Sequence, residues 1–233
     1  MRNLCLAACA MLLSLPLLAA DPVNLQGTWK IAAPQTAFKP EGGSIPFTAQ
    51  GRKRYESNKK MQAARKFDDY DYYIGRCAIP GTPRSMLTAD RFRLWQRPGL
   101  IMFQFEWNRT TRQIDTGVSQ QLEQVRVKEG NYLDLSLTGT PTPIAKGHWE
   151  GDTLVATSEN FIDNTLIDEL VPHGYDMKVT ERFRLRDNDT LEDRITIQDP
   201  EYFTRPWDTV VAYKRQPDDT AFREDVCLDR LQH

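Results

Sequence analysis

The stretch that decides the fold is residues 91–115, Arg91-Phe92-Arg93-Leu94-Trp95-Gln96-Arg97-Pro98-Gly99-Leu100-Ile101-Met102-Phe103-Gln104-Phe105-Glu106-Trp107-Asn108-Arg109-Thr110-Thr111-Arg112-Gln113-Ile114-Asp115. Side chains alternate at period two, aromatic and branched residues are frequent, and Gly99-Leu100 interrupts the run as a tight turn. This pattern predicts strands at 91–97, 100–107 and 110–115. Outward from there the same signature recurs at 27–32, 122–128, 132–138, 144–149, 153–157, 177–186, 191–198 and 208–215. Glu129-Gly130-Asn131, Glu150-Gly151-Asp152 and Asp187-Asn188-Asp189 mark further turns. Roughly eleven strands at hairpin spacing predict a mainly β chain, folded as an antiparallel barrel or sandwich. Strand does not alternate with helix, so a parallel sheet is not expected. One helix is expected at 47–66, with the basic run Arg52 to Lys60 on its wet face and Tyr55 and Met61 on the other. A second, closing helix is expected at 219–231. Residues 67–88 are rich in Asp, then Tyr, then Gly and Pro, and read as a long loop of the kind that is functional or covered.

The N-terminus predicts export. Arg2 precedes an apolar run at 4–18, followed by Leu18-Ala19-Ala20 and the polar Asp21-Pro22, the layout of a cleaved signal peptide over residues 1–20. Pro16 and the length argue against a membrane span. Cys9 stands ahead of most of the apolar core, which argues against a lipid anchor. A single domain over 21–233 is expected, in the periplasm or secreted. The chain has 30 Lys and Arg against 32 Asp and Glu, a net charge of −2 that calls for neither nucleic acid nor an anionic membrane. Of its four cysteines, Cys5 and Cys9 belong to the leader. The remaining pair, Cys77 and Cys227, reads as one disulfide in an oxidising compartment.

Strand alternation singles out three acids on largely apolar faces: Glu106 with Leu100 and Met102, Glu181 with Val179, Phe183 and Leu185, and Asp193 with Leu191, Ile195 and Ile197. A buried carboxylate must be paired or protonated, and both conditions are common at functional sites. Two readings follow: acids poised in a barrel interior for a ligand or a proton, or a structural network with Arg91, Arg93, Arg112 or Arg184. His148, before the Glu150-Gly151-Asp152 turn, is the best-placed general base of three histidines, and His173 lies in a loop between Pro172 and Gly174. The expected catalytic set is therefore Glu106, Glu181 and His148. Arg84, Met102, Arg112, Trp149, Tyr72 and Tyr73 are the expected ligand-binding residues. No spacing suits a metal, and neither a metal nor a cofactor is expected.

Two resemblances bear on this. Gly27-Thr28-Trp29 resembles the G-x-W that opens lipocalin barrels, where the Trp closes the narrow end against an Arg from a late strand. Arg182, Arg184 and Arg215 are the candidates here, and the likeness makes a lipocalin-like barrel the expected fold. The chain also resembles an uncharacterised family of exported bacterial proteins. The shared residues are Leu25-Gln26-Gly27-Thr28-Trp29, Cys77-Ala78-Ile79-Pro80-Gly81-Thr82-Pro83-Arg84-Ser85-Met86, Gly147-His148-Trp149-Glu150-Gly151-Asp152-Thr153-Leu154-Val155, Glu181-Arg182-Phe183, Asp199-Pro200, Pro206-Trp207 and Glu224-Asp225-Val226-Cys227. Members carry Met where this chain has Thr82, and D-G-R-x-H where it has Asp115-Thr116-Gly117. The resemblance implies one domain, export and the Cys77–Cys227 pairing, but no activity. The expected function is the binding of a small apolar or aromatic molecule inside the barrel. The alternatives are a cofactor-independent lyase or isomerase using the buried acids and His148, and a structural envelope protein with no cavity.

Overall fold

The computed structural model describes residues 23–117, 141–223 and 225–227. The leader, the strands expected at 122–128 and 132–138, and residues 228–233 lie outside them. Nine strands close into a lipocalin-like barrel: β1 (Gly27–Ile31), β2 (Phe92–Arg97), β3 (Leu100–Phe105), β4 (Thr111–Asp115), β5 (Ala145–Glu150), β6 (Thr153–Ser158), β7 (Lys178–Asp187), β8 (Thr190–Gln198) and β9 (Trp207–Arg215). Every neighbouring pair is antiparallel except β4 and β5, which run parallel through Ile114↔Ala145 and Asp115↔Lys146. That pair is a departure from the all-antiparallel expectation: the last two residues of β4 lie beside the first two of β5, which then runs on past the end of β4. At this junction a Cβ on Gly147 would lie 2.5 Å from Ile114 Cγ2, so only glycine lets the strands come this close.

Alternation sends Trp29, Phe92, Leu94, Ile101, Phe103, Phe105, Ile114, Leu154, Phe183, Ile195, Val211 and Tyr213 inward, all at most 2 % exposed. Phe92 touches Phe103 at 5.4 Å and Tyr213 at 5.0 Å between ring centroids, and Phe103 touches Phe183 at 5.4 Å. A chain of rings thus crosses the interior from β2 and β3 to β7 and β9 and fills it. The two ends are closed differently. At one, Arg215 Cζ lies 4.2 Å from the Trp29 ring and its nitrogens donate to the carbonyls of Gln26 and Asn188. Of the three candidate arginines, Arg182 and Arg184 instead pair with Glu150 and Glu192 on the outer face.

Loops cover the other end. Helix α1 (Ala49–Ala63) is shorter than expected, capped by Thr48 Oγ, which accepts from Gly51 N at 3.0 Å. Its basic residues are exposed, and it docks through buried Asn58, which donates to Leu170 O at 2.9 Å. The segment expected as a loop holds a short helix α2 (Tyr72–Arg76) and, at its end, buried Met86 and Leu87, which join the barrel core. Tyr213 Oη donates to Met86 O at 2.9 Å, fastening this segment to β9. Residues 159–177 contribute Phe161, Ile167, Val171 and Met177 to the same core.

The closing helix expected at 219–231 does not begin at 219: residues 219–223, 225 and 226 carry no helix, Cys227 is helical, and 228–231 lie outside the described residues, while Asp225 bridges to Trp107. Glu106 accepts the Arg223 N–H, and Cys227 N donates to Asn108 Oδ1 at 2.7 Å, so the tail is held extended on the barrel wall. Cys77 and Cys227 form a disulfide that closes 150 residues and joins this tail to the end of α2.

Candidate functional site

The structure distributes the expected site residues over four places. Two of the three acids on apolar faces do point into the barrel. Glu181 on β7 takes a bidentate pair of hydrogen bonds from Arg112 on β4, Nη1 to Oε1 at 2.7 Å and Nη2 to Oε2, with both side chains fully buried. The guanidinium lies 5.5 Å from the Phe103 centroid and 6.0 Å from that of Phe183. Asp193, one strand over on β8, is also wholly buried. Burial, and then the charge of Glu181, pushes its carboxyl well above the usual range against the pull of Arg112. Two carboxyl groups and one cation therefore share a fully buried interior that favours the proton on Asp193, a buried network of the structural kind.

Glu106 is different. It continues β3 on the outer face, not the inner one, and is buried because the C-terminal tail covers it. Its carboxylate accepts from Arg91 N, Nε and Nη2 and from Arg223 N, at 2.5 to 3.1 Å. Burial would raise its pKa, but Arg91 and the two backbone donors outweigh that and hold it low. It borders a polar hollow of about 250 Å³ with Lys30, Asp90 and Gln216. His148 lies outside the barrel on β5, its side chain 63 % exposed and 3.1 Å from Glu150. Met102 is half-buried on the outer face of β3. Trp149 lies on the inner face of β5, partly buried against the core.

Tyr72, Tyr73 and Arg84 are brought together. They line a cleft of about 180 Å³ at the loop-covered end with Asp71, Ala78, Ile79, Pro80, Pro141, Asn164, Thr165 and Leu166. The sequence places them there through α2, which presents the two tyrosines. The turn at Pro80-Gly81 then brings the chain back beneath them. Gly81 has φ +80°, and a Cβ on it would lie 2.7 Å from Pro141 O, so the turn needs glycine on both counts. Arg84 donates from Nη1 and Nη2 to the two oxygens of Asp71 at 2.7 and 2.9 Å, and its Cζ lies 4.6 Å from the Tyr73 centroid. The Tyr73 ring meets Trp107 edge-on at 4.9 Å. Behind the opposite wall, His173 Nε2 lies 2.8 Å from Thr165 Oγ1 and Nδ1 lies 3.0 Å from Gly174 O.

Asp71, Thr165 and Leu166 carried no sequence signal that marked them for this site. Asp71 looked like one of an acidic run, and Thr165 and Leu166 sit in an aperiodic segment whose position depends on long-range packing. Among the described residues no group of three His, Cys, Asp or Glu is arranged to hold a metal ion, and no helix is long and apolar enough to cross a membrane. Comparison with protein-family models and with curated proteins finds no match for this chain.

Proposed function

We propose that this is an exported barrel protein that binds a single-ring apolar or aromatic molecule, and that it does so in the cleft at the loop-covered end of the barrel. The observation that carries the reading is the cleft itself. It is walled by Tyr72, Tyr73, Ala78, Ile79, Pro80 and Leu166, with a few polar groups converging on it, the usual composition of a small-molecule site. Its size sets the ligand: an apolar cavity of about 150 Å³ holds one benzene, and this one is only slightly larger. The strand-lined interior, packed with rings and with the Arg112–Glu181 pair, favours the end of the barrel over its centre. Export is supported by the leader layout and by the disulfide, whose Cys77 adjoins the cleft wall at Ala78. Acid–base catalysis by Glu106, Glu181 and His148 draws no support from three residues set in three separate places.

Native mass spectrometry of the full chain, compared with its denatured mass, tests the reading. A recurrent adduct that disappears on denaturation, and from Ile79→Arg, is the expected result. Ile79 is 47 % exposed, so the added side chain blocks the cleft without disturbing the core. An adduct that survives Ile79→Arg would place the ligand elsewhere. A protein that carries no adduct and takes up no one-ring compound would point to the envelope role instead.

A further inference from the structure

The hydrogen-bond chain behind the cleft fixes what its polar wall can do. A carbonyl only accepts, so the His173 ring must place a proton on Nδ1 to meet Gly174 O at 3.0 Å. His173 is 2 % exposed, and burial pushes its pKa below the ordinary histidine value against the Gly174 carbonyl and the charges of Asp199 and Asp163. The neutral ring therefore presents a lone pair at Nε2, and the Thr165 hydroxyl, 2.8 Å away, donates its one proton there. Towards the cleft Thr165 can then only accept. Asp71, which lines the cleft along with the polar side chains of Asn164, Tyr72 and Tyr73, has both oxygens taken up by Arg84 and lone pairs to spare, so it too only accepts. Arg84 in turn spends both terminal nitrogens on Asp71 and its face on Tyr73, which leaves its charge neutralised.

We infer that the cleft selects a ring bearing an O–H or N–H donor, with Thr165 Oγ1 and the Asp71 carboxylate as the acceptors that read it. This rests on the cleft being the binding site. A ring without a donor strips water from both acceptors and returns nothing, whereas a phenol or an aniline replaces the lost hydrogen bonds. A ring carrying a carboxylate meets acceptors and a cation already paired, and is repelled.

Calorimetric titration of the full chain with p-cresol, p-toluidine, 4-methylanisole and p-toluate separates the possibilities. The expected result is that p-cresol and p-toluidine bind at least about tenfold more tightly than 4-methylanisole, the same ring with its donor blocked, and that p-toluate is weakest. Thr165→Val narrows the gap between p-cresol and 4-methylanisole, and Thr165→Ser restores it. Equal affinity for p-cresol and 4-methylanisole in the unmodified protein would overturn the inference and leave the cleft as an apolar site. Tightest binding of p-toluate would overturn it in favour of Arg84 as an anion receptor. If no ring binds, the cleft reading itself falls.

Discussion

The barrel holds two arginine–carboxylate pairs that are alike in chemistry and unlike in setting. Arg112–Glu181 and Arg84–Asp71 are both bidentate, both lie against aromatic rings, and both are buried. The first is enclosed on every side by strand residues. The second has packed core on one side and an open cleft on the other. Burial and ion pairing are thus shared, and bordering empty space is not. Perturbed acids therefore do not mark the candidate site in this fold, since Asp193, whose carboxyl is pushed well up, lies wholly buried in the barrel interior away from the cleft.

This contrast can be broken at several points. Glu181→Gln should be the most damaging, because it strands a fully buried Arg112. A loss of about 3–5 kcal/mol in denaturant unfolding is expected, with ligand binding per folded molecule unchanged. Asp71→Asn should cost less, since the cleft admits water to Arg84, yet weaken cleft binding. A Glu181→Gln protein that stays folded but loses binding would erase the distinction. Next comes the disulfide. Replacing Cys77 and Cys227 by Ala should cost about 2–4 kcal/mol and also weaken cleft binding, because Cys77 ends α2 beside the wall.

Asp193→Asn sharpens the comparison by its pH dependence. The folded pKa is raised, so the favourable contribution of the protonated acid is complete below the unfolded carboxyl value, near 4. It is lost as pH rises towards the folded pKa. Asn cannot ionise, so the variant should match the parent near pH 4 and exceed it by about 1–2 kcal/mol at pH 8. A flat difference across that range would mean that Asp193 is ionised in the core. The smallest effect is expected at His148, where substitution by Ala should change stability by less than about 0.5 kcal/mol. A large loss there would reveal a role for the outer face of β5.

Much of the barrel was legible because two-residue periodicity is local: 91–115 gave β2 to β4 with their faces, and Glu181 and Asp193 were placed inward correctly. Glu106 misled because alternation reports which face a residue takes, not what later covers that face. Its cover comes from a tail more than a hundred residues away, whose residues 219–223 were expected as helix and are not. The cleft was half legible. Tyr72, Tyr73 and Arg84 stood out as aromatic and cationic residues in a long loop. Thr165 and His173 joined them only through the fold, as the chain between β6 and β7 returned to the same end.

The parallel junction of β4 and β5 gives this closed wall an uneven grain. Elsewhere five or more residue pairs usually fasten a strand to its neighbour, and nine fasten β7 to β8, but only two hold this joint. A cylinder sewn this way does not swell uniformly under strain. It parts along its weakest stitch, with Gly147 as the residue that lets the edges meet. Amide exchange should therefore advance from Ala145 and Lys146, leaving β7 to β9 as the last standing panel.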